Sequence, residues 1–226
     1  MGSPRTRTPT PGPELDLLMS ALGSYVARCA SSPPLIFYEP ELPTGFPDAV
    51  AVFCHARFSD PRPSRQKLGN DHLRLLHHLY RVRRGSAMEL ALALDHTERH
   101  VRRVLDDLEH ADLVRQYRDR AVARSLDSVF VATRIVTVEA KIRDWRKALR
   151  QAIANTWFAS HSYVLMPANR LSRTIFRQAA RFGIGVMSYD GTRVAVRLRA
   201  RRLAIPSSYG SWLVNEWAVR RTSHAH

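Results

Sequence analysis

The chain has 226 residues, and its 35 Lys and Arg side chains against 20 Asp and Glu give a formal net charge of +15. This excess predicts a polyanionic partner, with nucleic acid as the first candidate. The sequence has no run of about 18 apolar residues, no apolar signal-peptide stretch and no CxxC spacing between Cys29 and Cys54. We therefore expect a cytoplasmic protein with no membrane contact and no disulfide framework.

The first 61 residues predict a leader, a helix and two strands. Residues 1–13 carry four prolines without hydrophobic periodicity, which predicts a disordered leader. Apolar residues at helical spacing then predict a helix over about 14–30. Two β-rich runs follow, Leu35–Tyr38 and Ala49–Cys54, and a second breaker cluster at 59–64 is typical of a linker.

Residues 62–124 predict three helices and a basic β-hairpin. The first helix begins at Asp71, and the second follows the capping-box pattern of Ser86 with Glu89. Thr97 precedes the third helix. This order resembles the winged helix-turn-helix family over about 60 residues. The alternative is that the same helices bind protein and that their arginines form a solvated surface.

The winged-helix resemblance implies double-stranded DNA as the partner. A recognition helix needs donors in its N-terminal half, and a basic wing contacts neighbouring phosphates. The residues that the resemblance nominates for DNA binding are Arg99, His100, Arg102, Arg103, Arg115, Arg118 and Arg120. The two histidines of the segment 96–100 do not form a metalloprotease motif, because the intervening Glu is misplaced. We interpret them as surface or helix-packing residues.

The last hundred residues alternate strands and helices. The predicted elements are a strand over 134–142, a helix from Asp144 to about Ala159, a strand Ser162–Met166, a helix over about 170–181, a hairpin of Gly185–Tyr189 and Arg193–Leu198, and a short tail helix. Residues 125–226 contain 17 basic and 5 acidic side chains, so we expect this part to bind the phosphate backbone. An acid on a strand in such a basic region needs a specific explanation.

Two short acidic motifs carry the most specific signal. On the strand 134–142, alternation places Glu139 and Lys141 on one face, and isolated charges on a buried strand are costly unless they are paired or bind metal. Upstream, Asp48 begins the strand Ala49–Cys54. The pattern Pro47-Asp48 followed by Glu139-Ala140-Lys141 resembles the PD-(D/E)XK nuclease superfamily. Each part also has a plainer explanation, an ion pair on a strand and a turn cap.

The nuclease resemblance implies a fold and a domain division. It spans about 14–60 and 130–200, and it implies an α/β fold with a restriction-endonuclease-like mixed sheet flanked by helices. The winged helix-turn-helix, 62–124, is then inserted between the second and third core strands, and the core comprises 14–61 and 125–226. The insertion accounts for the roughly 90 residues that separate the two motifs.

The same resemblance implies a metal-dependent DNA endonuclease. Its metal site for Mg²⁺ or Mn²⁺ consists of Asp48, Glu139 and the carbonyl of Ala140, and oxygen ligands of this kind suit Mg²⁺. Lys141 and Gln151 complete the catalytic set. Glu14, at the start of the first helix, is an additional acid that the helix dipole alone explains.

Two other functions remain open. One is a catalytically inactive, regulatory DNA-binding protein on a nuclease scaffold, since fold does not imply activity. The other is an interaction module of a larger assembly, in which the winged helix binds protein. A homodimer is compatible with an endonuclease, because one active centre cuts one strand. The sequence does not identify a dimer interface.

Overall fold

The structure is a computed structural model that describes residues 6–26, 33–55 and 63–223. Its α-helices are α1 (Pro13–Val26), α2 (Pro63–Gln66), α3 (Asn70–Val82), α4 (Ala87–Leu94), α5 (Glu98–His110), α6 (Leu126–Val129), α7 (Trp145–Asn155), α8 (Arg173–Arg181) and α9 (Tyr209–Ser223). Its strands are β1 (Leu35–Tyr38), β2 (Ala49–Cys54), β3 (Arg84–Ser86), β4 (Val114–Tyr117), β5 (Arg120–Ala123), β6 (Ala132–Ala140), β7 (His161–Pro167), β8 (Gly185–Tyr189) and β9 (Val194–Leu198). The chain is therefore a mixed α/β protein. None of the helices in the described ranges is long and apolar enough to cross a membrane.

The chain divides into two compact units. The sheet unit comprises Pro4–Arg57 and Ala132–Pro206, and the helical unit comprises Phe58–Val131 and Ser207–His226. The sequence assigned the whole of 125–226 to the nuclease-like core, whereas the structure groups the beginning and end of that range with the helical unit.

Most predicted elements are present with bounds shifted by a few residues. The strand predicted over 134–142 is β6, which begins and ends two residues earlier, so Lys141 follows the strand. The helix predicted over 14–30 is α1, and residues 27–30 lie outside the described residues. The predicted linker 59–64 overlaps α2 at its last two residues, and the rest of it also lies outside the described residues.

The leader predicted over 1–13 differs from the structure where it is described. Thr6 forms an isolated β-bridge with Pro40, and the backbone N–H of Arg7 donates to the carbonyl of Glu39 at 3.1 Å. This pairing places Thr6 and Arg7 beside residues 39–40, in a segment whose composition alone indicated disorder. Composition cannot register a pairing partner that lies more than thirty residues away.

The sheet unit contains a six-stranded mixed sheet in the order β1-β2-β6-β7-β8-β9. The pairs β1–β2, β2–β6 and β8–β9 are antiparallel, and β6–β7 and β7–β8 are parallel. Helix α1 covers one face through a core that includes Leu18, Val138 and Leu165. Helices α7 and α8 cover the other face, where Val164 and Val186 are buried. The successive residues 164 and 165 thus point to opposite faces, as the strand period requires.

The helical unit combines α3, α4 and α5 with a small sheet in the order β3-β5-β4. The predicted capping box is confirmed, because Ser86 Oγ accepts from the Glu89 N–H at 3.2 Å and Glu89 Oε2 accepts from the Ser86 N–H at 2.7 Å. Thr97 caps α5 by accepting from the His100 N–H at 3.3 Å. The predicted hairpin is formed by β4 and β5. Strand β3 was not predicted, because three residues are too few to show a period.

A buried ion pair joins the C-terminal helix to the rest of the helical unit. Arg65 donates from Nε and Nη2 to the Glu216 carboxylate at 3.2 and 2.8 Å, and both residues are at most 1% exposed. Arg65 Nη2 also donates to the carbonyl of Val129 at 2.6 Å, and Asn215 donates to Glu216 at 3.0 Å. Trp212 packs edge-on against the ring of Phe130 in the same region. These contacts explain why α9 groups with the helical unit.

We predict that Glu216→Ala lowers the free energy of unfolding of the helical unit by about 3–5 kcal/mol, because it leaves the Arg65 guanidinium buried without its counter-ion. The double variant Arg65→Met/Glu216→Leu removes both charges, and we expect its free energy of unfolding to fall much less. Urea unfolding monitored by circular dichroism measures both. A double variant as unstable as Glu216→Ala would contradict the role assigned to the ion pair.

Candidate active site

The predicted acidic motifs meet where β2 begins and β6 ends, in the interior of the six-stranded sheet. Asp48 immediately precedes β2, and Glu139 is the penultimate residue of β6. The antiparallel register pairs Ala49 with Val138, so the two acids lie one step beyond the last aligned pair. Asp48 Oδ2 accepts a hydrogen bond from the backbone N–H of Ala140 at 2.7 Å, which ties the two strand ends together.

Lys141 lies directly after β6 and turns its ammonium toward three oxygens. Its Nζ donates to the Ala140 carbonyl at 2.7 Å and to Asp48 Oδ2 at 3.1 Å, and it lies 3.2 Å from Glu14 Oε2. Burial acts to lower the pKa of Lys141, but the charges and hydrogen bonds of Asp48 and Glu14 outweigh it, so the pKa is raised. The ammonium is therefore charged at neutral pH.

Glu139 is buried with only part of its hydrogen-bonding capacity used. Its side chain is 1% exposed, and Oε1 accepts from Asn155 Nδ2 at 2.6 Å. Oε2 is buried and has no hydrogen-bond partner among the described residues. Burial, followed by the charge of Asp48, raises the pKa of Glu139 to about 8, against the opposing effects of the Asn155 amide, the Lys141 charge and a hydrogen bond from the Asp48 backbone.

The other acids of this region have evident structural roles. Residues 132–206 contain 15 basic and 3 acidic side chains. Asp144 caps α7 by accepting from the Lys147 N–H at 2.9 Å, and Asp190 accepts from two backbone N–H groups in the β8–β9 turn. Glu139 is the one of the three whose burial no cap or turn explains, so it is the strongest functional candidate.

The structure brings together four of the residues nominated from the sequence: Asp48, Glu139, Ala140 and Lys141. The fifth, Gln151, makes no contact with them that the structure records, and its buried Oε1 accepts no hydrogen bond from the described residues. The amide that contacts the acid is instead that of Asn155, four residues later.

Sequence reasoning missed Asn155 and underrated Glu14. Asn155 shares a face of α7 with Gln151, one turn away, so the helical period signals the face but not which amide reaches the strand. Glu14 contacts Lys141, and its Oε1 is 3.5 Å from the backbone nitrogen of Ile142. The helix dipole explains an acid in the first turn of α1, but it does not predict these partners.

The donor set fits a hard divalent cation. Carboxylate oxygens of Asp48 and Glu139 and the carbonyl of Ala140 are the oxygen ligands that Mg²⁺ and Mn²⁺ accept. The specific observation is the buried Oε2 of Glu139, because a buried acceptor that no protein donor contacts calls for an ion, a bound water or a catalytic role.

The residues nominated for DNA contact all belong to the helical unit, and their side chains reach its surface. Arg99, Arg102 and Arg103 lie on α5 and are exposed, and His100 is half-buried among them. Arg102 also pairs with Glu98 at 3.0 Å from its Nε. The remaining three, Arg115, Arg118 and Arg120, are exposed on the β4–β5 hairpin.

Comparison with known proteins gives no relative: no family model, no curated protein and no solved structure matches the chain.

We predict that Glu139→Gln changes how stability depends on pH. The folded pKa of about 8 exceeds the ordinary value of 4.5, so the folded state holds a proton that the unfolded state loses in this interval. This stabilising contribution is complete below about pH 4.5 and is lost as the pH rises through 8. The variant keeps an acceptor for Asn155 and carries no charge. At pH 9 we therefore expect its free energy of unfolding to exceed that of the wild type by at least ~1 kcal/mol.

Thermal unfolding between pH 5 and 9, with a chelator present, measures this effect. Asp144→Asn is the matched control, because Asn caps a helix as well as Asp does. Parallel stability–pH curves for the wild type and Glu139→Gln would show that Glu139 is not protonated in the folded protein.

Proposed function

We propose that the chain is a metal-dependent DNA endonuclease of the PD-(D/E)XK type, with the sheet unit as a restriction-endonuclease-like core. The helical unit is then an inserted winged helix-turn-helix that docks double-stranded DNA. The observation that carries the proposal is the buried carboxyl group of Glu139, which has an unpartnered oxygen and lies close to Asp48 and Lys141, where β2 begins and β6 ends.

The topology supports this proposal. An antiparallel β1–β2–β6 run continues into parallel β7 and β8, with helices on both faces. The acids lie at the start of β2 and the end of β6, consecutive strands of the sheet unit, and the helical unit interrupts the chain between them. An insertion at the connection of two antiparallel strands leaves their pairing intact.

In this proposal each residue of the site has a chemical role. Asp48, Glu139 and the Ala140 carbonyl would hold Mg²⁺ or Mn²⁺, which would supply positive charge beside the scissile phosphate and would help to activate water. Lys141 donates hydrogen bonds to the attacking water or to a phosphate oxygen that gains charge. Glu14 keeps the ammonium charged and close to the strand end, and Asn155 fixes one oxygen of Glu139.

The surface of the sheet unit supports a polyanionic substrate. The segment 170–202 contains nine exposed arginines on α8, on β9 and in the chain around them: Arg170, Arg173, Arg177, Arg181, Arg193, Arg197, Arg199, Arg201 and Arg202. Asp190 is the sole acid of this segment, and turn hydrogen bonds occupy it. Such a surface binds phosphates with a strong dependence on salt.

A second candidate function is DNA binding without cleavage. The observation that favours it is that the Lys141 ammonium already bonds to Asp48 and to the Ala140 carbonyl, two of the three proposed metal donors. If the lysine keeps these bonds when DNA is bound, the site does not take up a metal ion and the protein acts as a regulator.

We predict Mg²⁺-dependent nicking of plasmid DNA that falls at least ~100-fold in Asp48→Asn and in Lys141→Met, because each removes a charge that the reaction requires. The control, Asp144→Asn, removes an acid of the same unit that only caps a helix and should cleave normally. Gel assays with and without chelator measure the rates, and circular dichroism confirms folding. Cleavage that survives both changes would contradict the assignment, and tight binding without any cleavage supports the second candidate.

We predict that Arg99→Ala/Arg103→Ala weakens binding to duplex DNA about tenfold or more at low salt. It should also reduce the slope of log affinity against log salt by about two, because two phosphate-contacting charges are lost. The charge-matched control is Lys67→Ala/Arg81→Ala, which removes two exposed cations of the same unit outside α5 and the hairpin. Fluorescence anisotropy over a salt series measures both. An unchanged affinity would instead favour a protein-binding role for the helical unit.

A further inference from the structure

Three potential metal ligands converge in the helical unit. The ligand atoms of Asp71, His96 and His100 all lie within 4.8 Å of one another. His100 Nε2 is 3.5 Å from Asp71 Oδ2, and the two imidazole rings have their centroids 4.8 Å apart. The sequence predicts these histidines only as surface or packing residues, and no local spacing connects them to Asp71, which lies 25 positions before His96.

Local structure explains how the histidines come together. Asp95 adopts a left-handed conformation with φ of 54° and ends α4, and His96 donates its backbone N–H to the carbonyl of Ala91 at 2.9 Å. Thr97 then caps α5, so His100 lies in the first turn of the new helix. His96 is therefore held by a structured turn beside His100. Asp71 comes from the first turn of α3.

One of the three ligand distances suits tetrahedral coordination of a transition metal, and the other two are at most 4.8 Å. Zinc bonds to nitrogen and oxygen of about 2.0–2.2 Å place neighbouring ligand atoms roughly 3.3–3.6 Å apart. The 3.5 Å between His100 Nε2 and Asp71 Oδ2 falls in that range and is long for a hydrogen bond. His100 Nε2 is also a buried atom that makes no hydrogen bond with the described residues.

The surroundings leave room for a further ligand. A cleft of about 440 Å³ borders Asp71 and His100. His72 lines the same cleft, but both of its ring nitrogens are engaged, since Nδ1 accepts from the Gly69 N–H at 2.9 Å and Nε2 is 3.1 Å from Asp107 Oδ2. The described residues therefore offer three candidate ligands, two of which border an open cleft.

We propose that Asp71, His96 and His100 bind Zn²⁺ or a similar borderline transition metal in a site independent of the oxygen site of the sheet unit. Two imidazoles and one carboxylate with water in the fourth position form an established type of zinc coordination. Imidazole ligands favour Zn²⁺, Co²⁺ or Ni²⁺ over Mg²⁺. The site connects the first turn of α3 to the first turn of α5, so the bound metal stabilises the helical unit.

Metal binding at this site also changes the environment of Arg103. The Arg103 Nη2 lies 3.2 Å from His100 Nδ1, a contact in which that nitrogen accepts the hydrogen bond. A metal ion on Nε2 requires the proton on Nδ1, so the arginine must release it. Arg103 is one of the residues nominated for DNA contact, and metal binding therefore alters a side chain on the proposed DNA-binding surface.

Titration of the full-length protein with Co²⁺ tests the proposal. Excess Mg²⁺ is present to occupy the oxygen site, and Co²⁺ absorption reports tetrahedral nitrogen and oxygen coordination. We expect one equivalent of Co²⁺ to bind with an intense visible spectrum that one equivalent of Zn²⁺ abolishes. His96→Gln and His100→Gln should each weaken binding at least tenfold, while His72→Gln, a histidine of the same cleft, and Glu139→Gln should leave it unchanged.

Two results would overturn the proposal. One is the absence of saturable Co²⁺ binding to the folded wild-type protein. The other is binding that His96→Gln and His100→Gln leave intact, whether or not Glu139→Gln removes it. His96 is exposed, so its replacement does not disturb the core and the test does not depend on the more buried His100. Neither result depends on whether the protein cleaves DNA.

Discussion

The sheet unit is organised around a carboxylate buried at the end of β6. Removing Glu139 from water is costly, and one hydrogen bond from Asn155 at 2.6 Å compensates only in part, because Oε2 has no partner among the described residues. The neighbouring charge of Asp48 adds repulsion. An apolar residue would avoid this desolvation cost, and the cation site proposed above would give a reason for an acid at this position.

The cation already present nearby is a lysine, and its identity is informative. Only 3 of the 35 Lys and Arg residues are lysines, yet Lys141 occupies the position between the Ala140 carbonyl, Asp48 and Glu14. A compact ammonium can donate to three oxygens at 2.7–3.2 Å, whereas a planar guanidinium is larger and presents its donors in a fixed plane. In a chain that uses arginine almost everywhere else, the lysine indicates a geometric requirement.

The number of positions between two interacting residues decides whether the sequence could predict their contact. The capping box of Ser86, the cap at Thr97 and the alternation along β6 are local, and each could be predicted from a few neighbouring residues. The pair Arg65–Glu216 spans 151 positions and has no local signature, which is why the domain division predicted from the sequence differs from the grouping of the C-terminal helix in the structure. The Asp48–Lys141 contact spans 93 positions, and only the resemblance to a nuclease family anticipated it.

Two glutamates among the described residues are buried, and their surroundings differ. Glu216 is 0% exposed, but Arg65 contacts both of its oxygens and Asn215 contacts one of them. Glu139 is equally buried, yet one oxygen is unpartnered and the pKa is raised to about 8. Burial of charge alone therefore does not identify a site. Incomplete compensation makes Glu139 the candidate, because a protein that buries a carboxylate for structural reasons usually supplies its donors.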